Sequence, residues 1–211
     1  MSITSVTPAL GSVNGGYRIS ISGNGLGTVT TANVTVGGRP CTEIVVAMNG
    51  DVSCEVPPGV GSRVAVLLTT ASGVVAGGQG FFRYFPPIFS SIEPRVVISG
   101  DLLMDFIIRG SNLGTFRDTP SVQVGGIDCG IVNLVNSTFM RCLQLRTTKR
   151  AEMNGDTVSI EHGADLLEVP GAIRIIGRPV VRAVSPASIP SVGNIRVTVS
   201  GENFGAVESH I

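Results

Sequence analysis

The sequence has 211 residues, of which 43% are apolar and 14% are charged, and its formal net charge is zero. This balance excludes a disordered tail, a coiled coil and a polyelectrolyte that binds phosphate backbones through bulk charge. The 28 glycines and 12 prolines have no three-residue period, so they indicate many turns rather than collagen.

Three segments recur in the same order along the chain. The first is an apolar residue, a second apolar residue three positions later and a proline two positions after that, at residues 3–8, 89–94 and 181–186. The second is an alternating apolar and polar run that ends in a glycine-containing turn, at residues 17–27, 104–114 and 195–205. The third is V-x-V-G-G followed by cysteine, at residues 34–41 and 122–129. We therefore predict a unit one (1–86), a unit two (87–178) and the start of a third unit, segment three (179–211).

Each unit reads as a series of short strands. Ile19 and Ile21 alternate with Arg18 and Ser20, a period of two that places the apolar residues on one face of a strand. Further β-branched pairs are bounded by Gly, Pro, Asn or Asp, and no window of 11 or more residues has a helical apolar stripe. These features predict an all-β fold of tandem immunoglobulin-like β-sandwiches.

One turn position is restricted in the same way in all three copies. The position two residues after the strand-ending glycine is occupied by Gly25, Asn112 and Asn203. Glycine and asparagine are the residues that tolerate a positive φ. We therefore predict a left-handed turn residue at all three positions.

The order of proline, glycine turn, Gly-Gly and two cysteines resembles the IPT/TIG family of immunoglobulin-like domains, and the resemblance covers the whole chain. The family occurs in plexins, in Met-type receptors and in fibrocystin-like ectodomains. It implies disulfides between Cys41 and Cys54 and between Cys129 and Cys142, each enclosing 12 residues. Closing a 15-residue loop stabilises a fold by roughly 3 kcal/mol. Two alternatives for the cysteines are reduced thiols in a cytosolic protein and a zinc site.

Two sequons are candidate glycosylation sites. Asn33 is followed by Val-Thr and Asn136 by Ser-Thr, and both lie at the edges of predicted strands. They would carry glycans if the chain passes through a secretory pathway.

Chemistry-bearing groups are sparse. His162 lies between Glu161 and Asp165, which is compatible with a metal or general-base cluster. The alternative is a hairpin tip with Gly163 in the turn, which we favour. No common hydrolase, zinc-protease or P-loop motif is present, so we expect no catalysis, no metal site and no cofactor.

Aromatic residues concentrate near the first junction between units. Phe81, Phe82, Tyr84, Phe85 and Phe89 lie there, and the two junctions carry no carboxylates for calcium. We expect stiff linkers, and we expect these aromatics to pack the last strand of unit one against unit two. An exposed binding patch is the alternative.

These observations favour a noncatalytic fragment of a cell-surface or extracellular protein, acting as an adhesion or receptor interaction and spacer array. The expected partner is another protein, with self-association a further option, and membrane contact would occur only through a segment outside this chain. One alternative is an accessory carbohydrate-binding or support module of an extracellular enzyme. Another is an intracellular Rel-like DNA-binding or dimerisation module, for which Arg141, Arg146, Lys149 and Arg150 form the one basic cluster. Because total charge is balanced, we expect no nucleic-acid binding.

Overall fold

The computed structural model describes residues 1–26, 32–98, 100, 102–147 and 155–204. Within these residues the chain forms strands and turns, with no helix and hence no helix long and apolar enough to cross a bilayer. The prediction of an all-β fold is confirmed.

Unit one is a sandwich of two sheets. One sheet has the order β1-β3-β7-β6 and the other β2-β9-β8-β4-β5, with β2 parallel to β9. The strands are β1 (Ser2–Thr7), β2 (Leu10–Gly11), β3 (Arg18–Asn24), β4 (Ala32–Val36), β5 (Arg39–Pro40), β6 (Thr42–Val46), β7 (Val52–Glu55), β8 (Val64–Thr70) and β9 (Val75–Tyr84).

Unit two repeats this arrangement with its last strand divided. Its main sheets have the orders β10-β12-β16-β15 and β14-β13-β17-β18, and β11 pairs in parallel with β19. The strands are β10 (Ile88–Glu93), β11 (Val96–Ile98), β12 (Leu102–Ser111), β13 (Ser121–Val124), β14 (Ile127–Asp128), β15 (Ile131–Asn136), β16 (Phe139–Thr147), β17 (Val158–His162), β18 (Asp165–Val169) and β19 (Arg174–Ile176).

The two units have separate hydrophobic cores. In unit one, Ile19 and Ile21 of β3 are fully buried against β-branched and aliphatic residues of the facing sheet. In unit two, Phe106 and Ile108 of β12 occupy the equivalent places. Burial of each such side chain contributes about 1.5–3 kcal/mol. The alternation seen in the sequence therefore selects the core face of each sandwich.

The aromatic cluster near the junction packs differently from our expectation. Phe82 and Tyr84 alternate with exposed Arg83 along β9, so they point into the core of unit one, where their rings meet edge to face with centroids 5.1 Å apart. Phe85 is exposed, and Phe89 packs against the core of unit two. The interpretation that this group packs unit one against unit two is wrong, because the strand period turns Phe82 and Tyr84 inward.

Segment three forms one antiparallel pair, β20 (Val180–Ser185) with β21 (Thr198–Glu202). Val184, Val197, Val199 and Phe204 are 43–53% exposed, although the equivalent residues of units one and two are buried. Two strands bury too little surface to form a core of their own. Within the described residues, this apolar face is uncovered.

The three copies share unusual backbone features. The peptide bond before Pro8, Pro94 and Pro186 is cis. The strand-ending glycines Gly23 and Gly110 lie so close to the opposite strand that an added Cβ would overlap the carbonyl oxygens of Ser2 and Ile88, and Gly201 repeats this approach. A side chain at these positions would have to displace backbone, which accounts for the glycine in each copy.

Candidate interaction site between the units

Arg39 is presented to unit two by a tight hairpin turn. Gly37 and Gly38 form the two-residue loop between β4 and β5, with φ of 61° and 75°. Two positive φ values characterise the type I′ turn that joins twisted antiparallel strands, and glycine adopts them without strain. Arg39 follows this turn directly, so its guanidinium extends from the end of the hairpin.

Asp118 is held in place by a turn of unit two. Thr115 and Asp118 pair across a two-residue loop formed by Phe116 and Arg117. The Thr115 hydroxyl donates to Asp118 Oδ2 at 2.7 Å, and the Asp118 amide donates to Thr115 Oγ1 at 3.2 Å. The carboxylate is therefore oriented before it meets the arginine.

Arg39 and Asp118 form a bidentate ion pair between the units. Nη1 donates to Oδ2 and Nη2 to Oδ1, each at 2.6 Å, and the two side chains are 23% and 22% exposed. Arg39 Nη1 also donates to the carbonyl oxygen of Pro58 at 2.6 Å. A planar guanidinium matches a carboxylate in this geometry, which gives directional as well as electrostatic stabilisation.

The pairing changes the acid–base properties of both groups. Burial alone would raise the pKa of Asp118, but the hydrogen bonds from Arg39 and Thr115 outweigh it and hold that pKa below its usual range. The hydrogen bond to Asp118 raises the pKa of Arg39. Both groups therefore remain charged at neutral pH.

A second contact joins the units at another hairpin. The Ser62 hydroxyl donates to Asp165 Oδ1. Asp165 opens β18 directly after the turn at Gly163, whose φ is 60°. Together with the ion pair, this bond fixes two separated points between the units.

The inter-unit surface contains an open cleft of about 540 Å³. Its apolar lining includes Pro40, Pro57, Phe116 and Leu134, and Arg39 of the ion pair also lines it. Phe116 is 84% exposed although it stands on a well-defined turn. Together with Pro40, Pro57 and Leu134 it makes a contiguous apolar surface, which is the kind of surface that binds ligands.

His162 is a structural residue of this region. It ends β17 at the hairpin whose turn contains Gly163, as the sequence predicts, and its side chain is buried. Its Nε2 lies 2.8 Å from the carbonyl oxygen of Leu113, so this nitrogen carries the proton and donates. No group of three or more His, Cys, Asp or Glu side chains able to hold a metal ion occurs within the described ranges.

The linkers before unit two and segment three are fixed by equivalent asparagines. φ is 54° at Asn112 and 60° at Asn203, and 75° at Gly25 in unit one. Asn112 Nδ2 donates to the carbonyl oxygen of Pro86 at 3.3 Å, and Asn203 Nδ2 to that of Arg178 at 3.1 Å. The left-handed turn residue thus also anchors the chain that enters its own unit.

The family model described as "IPT/TIG domain" matches this chain twice, over residues 1–84 and 87–161. The chain belongs to the IPT/TIG family. Plexin-2 of Caenorhabditis briggsae is 28% identical over 207 residues, which are 96% of this chain and 11% of that protein. Fibrocystin-L of Mus musculus is 27% identical, over 96% of this chain and 5% of that protein. The chain therefore spans about a tenth or less of these relatives.

A solved structure of the full plexin A4 extracellular region aligns with 99% of this IPT/TIG chain. The TM-score is 0.37, the sequence identity is 16%, and 18% of that structure is covered.

Each IPT/TIG unit contains one disulfide. The bonds join Cys41 to Cys54 and Cys129 to Cys142, and the described residues include no free cysteine. In both units the amide of the first cysteine donates to the carbonyl oxygen of the first valine in the V-x-V motif. The distance is 2.8 Å from Cys41 to Val34 and 2.9 Å from Cys129 to Val122. The bridge therefore links the hairpin after the Gly-Gly turn to the opposite sheet.

Both sequon asparagines are exposed. Asn33 lies within β4, and Asn136 ends β15 and lines the inter-unit cleft. In the basic cluster considered for DNA binding, Arg141 lies over the Phe139 ring, 5.7 Å from its centroid, while Lys149 and Arg150 fall outside the described residues.

Sequence reasoning missed the Arg39–Asp118 pair and Phe116. A signal was nevertheless present in the repeat, because Ile127 occupies the place of Arg39 in the second IPT/TIG unit. Likewise a threonine, Thr30 or Thr31, occupies the place of Asp118 in the first unit, where the offset between the repeats changes from 87 to 88. The fold of a unit therefore does not require a charge at either position.

Proposed function

We propose that this chain is a noncatalytic segment of a cell-surface or extracellular protein, in which two IPT/TIG units act together as a stiff spacer and a protein-binding surface. The unit boundaries proposed are 86/87 and 178/179. Family membership and the likeness to plexin and fibrocystin-L sequences support this role. One disulfide per unit suits an oxidising compartment.

The observation that carries the proposal is the pair of side-chain contacts between the units. Arg39 with Asp118 and Ser62 with Asp165 join positions 79 and 103 residues apart in sequence. Two separated anchor points restrict rotation as well as translation, so force or position is transmitted from one unit to the next. No cofactor is required for such a role, and attachment to a membrane would come from another part of the protein.

Location is tested in cells that make the full-length parent protein. We expect reagents that cannot cross a membrane to label it on intact cells, and thiol alkylation to find Cys41, Cys54, Cys129 and Cys142 oxidised until a reductant is added. Free thiols together with an absence of surface labelling would contradict the proposal. DNA binding and intracellular dimerisation would then be tested first.

Recognition is tested with beads that carry the 211-residue chain. We expect such beads to bind to cells or to cluster with each other, and this binding to be lost when the target surface is treated with protease. The matched control is the same chain after reduction and alkylation. Binding that resists protease but is lost after glycosidase treatment would instead support the accessory carbohydrate-binding role.

A further inference from the structure

The inter-unit cleft carries two features that the spacer role does not require. One is Phe116, a residue that is 84% exposed and lines the cleft. The other is Asn136, a sequon asparagine that lines the same cleft. An exposed aromatic and an attachment point for carbohydrate are thus brought together by residues 20 positions apart.

The Asn136 side chain is held by its oxygen and leaves its amide nitrogen unbonded to the other described residues. Its Oδ1 accepts hydrogen bonds from the Thr138 amide at 2.9 Å and from the Thr138 hydroxyl at 2.8 Å. These bonds fix the carboxamide plane and use its oxygen. Its Nδ2, the atom that N-glycosylation modifies, makes no hydrogen bond to another described residue and belongs to an exposed side chain.

Phe116 is held by the same residue that joins the units. Its two-residue turn is closed by Thr115 and Asp118, and Asp118 is paired with Arg39. The ring is therefore displayed from a restrained backbone. The apolar face of a pyranose can cover such a ring, and the prolines Pro40 and Pro57 across the cleft offer further apolar surface.

We propose that an N-linked glycan on Asn136 lies in the inter-unit cleft, with its first sugars packed on Phe116. In the attachment step, Nδ2 forms a bond to C1 of N-acetylglucosamine and loses one proton. The bond between C1 and the phosphate oxygen of a polyprenyl-diphosphate-linked oligosaccharide breaks, and the lipid diphosphate leaves with the electron pair. This inference rests on the extracellular location proposed above, because only a chain in the secretory pathway meets this donor.

The chain's own glycan fits this cleft better than a free saccharide. A covalently tethered sugar has a high effective concentration at its attachment site, of millimolar order for a short flexible connection. A weak stacking surface, such as one exposed phenylalanine, is then sufficient to hold it. Seated there, the glycan would cover Phe116 and contact both units, because Pro57 and Phe116 come from different units.

The test uses the 211-residue chain, directed into the secretory pathway of a eukaryotic cell line by an added signal sequence. Occupancy of Asn136 and Asn33 is measured by mass spectrometry in secreted and cell-retained protein alike. The rate of release by an amidase specific for N-glycans is then measured at each asparagine in the native protein. Asn33 is the internal reference, because it is exposed on β4 and does not line the cleft.

We expect Asn136 to be occupied and its glycan to be released about tenfold more slowly than that on Asn33, as stacking on one aromatic ring would give. Phe116→Ser should bring release at Asn136 close to the Asn33 rate. Phe85→Ser, which removes another exposed phenylalanine, should leave it slow.

An unmodified Asn136 would overturn the inference, and so would a release rate at Asn136 that Phe116→Ser does not change. Because entry into the secretory pathway is imposed in this test, either result is distinguishable from failure of the proposed location. That location is tested separately by labelling the parent protein on intact cells.

Discussion

Arg39 and Asp118, 79 residues apart in sequence, meet through two parallel hydrogen bonds of 2.6 Å. Arg39 also holds the carbonyl oxygen of Pro58 in its own unit, and Asp118 also holds Thr115 in unit two. The ion pair is therefore the centre of a chain of hydrogen bonds that runs from one unit into the other. Its loss would affect the relation between the units more than the fold of either.

We predict that Asp118→Asn uncouples the two units. The change keeps the size of the side chain but removes the charge, and a partly exposed bidentate pair contributes on the order of 1 kcal/mol. Hydrogen exchange is measured at increasing urea concentration. In the variant, the amides of unit one and those of unit two should become exchangeable at more widely separated urea concentrations than in the native chain. The protection of each core in the absence of urea should stay unchanged.

The matched control for this prediction is Glu202→Gln. Glu202 pairs with Arg182 at 2.6 Å within segment three, and their side chains are 56% and 66% exposed. Loss of this ion pair should leave the coupling of units one and two unaltered, because solvent-exposed ion pairs contribute little stability. Equal coupling in Asp118→Asn and the native chain would contradict a role for the ion pair between units.

Acid should weaken the contact between the units only when the pH falls below the usual pKa of a carboxyl group. The pKa of Asp118 is lowered from an ordinary value of 3.8, so the charged form is favoured where the units are docked. Its contribution is complete above the ordinary pKa and is lost as pH falls through the lower one. We therefore expect constant coupling from about pH 8 to about pH 5, and a decrease only below about pH 4.

Hydrogen exchange of the turn at Thr115–Asp118, measured across this pH range, checks the acid response. In Asp118→Asn the same turn should show no transition of this kind, since the titrating group is absent. Loosening between neutral and mildly acidic pH would contradict the prediction, because a carboxyl group with a lowered pKa does not titrate there.

The strands and the turn chemistry could be predicted because the repeat displays them. Ile19 and Ile21 are buried on one face, and the Gly-Gly turn after β4 recurs after β13 with φ of 62° and 77° at Gly125 and Gly126. Period-two patterns and positive φ are local requirements, and local requirements leave a direct trace in a sequence.

The contacts between units left a weaker trace. Arg39 meets Asp118 only after both sandwiches have formed and docked, because the two residues lie beside separate tight turns of different units. Phe82 and Tyr84 were also misassigned from sequence. Their side chains point into the core of unit one because of their positions along β9, although both lie close to the linker in sequence. Docking between units is set by the shapes of two folded surfaces, which no local pattern in the sequence displays.

Substitution of Asn112 should separate its backbone role from its hydrogen bond. Asn112→Gly keeps the left-handed conformation and loses only the bond to Pro86, whereas Asn112→Ala also has to adopt a φ of 54°. We expect the alanine variant to be less stable than the glycine variant by about 1 kcal/mol in urea unfolding of unit two.

Asn133, an exposed residue within β15, provides the opposite control for Asn112. In a strand interior, glycine is less stable than alanine by roughly 0.5–1 kcal/mol, so the order of the two variants should reverse there. The same order at both positions would contradict the assignment of Asn112 as a left-handed turn residue.

The ionisation of the two tyrosines should report the stability of unit one at alkaline pH, without a signal from unit two. The chain has two tyrosines and no tryptophan, and both tyrosines pack in unit one. Burial raises the pKa of Tyr17 from 10.0 to about 12 and raises that of Tyr84 as well, for which burial is again the main cause. The Tyr84 hydroxyl donates to the carbonyl oxygen of Pro57 at 2.7 Å, which further favours the protonated form.

A raised folded pKa means that the protonated phenols stabilise unit one. Their contribution is complete below the ordinary pKa of 10.0; that of Tyr17 is lost as pH rises through about 12, and that of Tyr84 through its own raised pKa. Ultraviolet absorbance of phenolate should therefore stay low until about pH 11 in the native chain. In the urea-unfolded chain the tyrosines should titrate near their ordinary pKa.

Tyr84→Phe should halve the final amplitude of the phenolate absorbance, because one phenol remains. A phenolate signal near pH 10 without loss of unit-one structure would contradict the prediction, since it would place a phenol in contact with solvent rather than in the core.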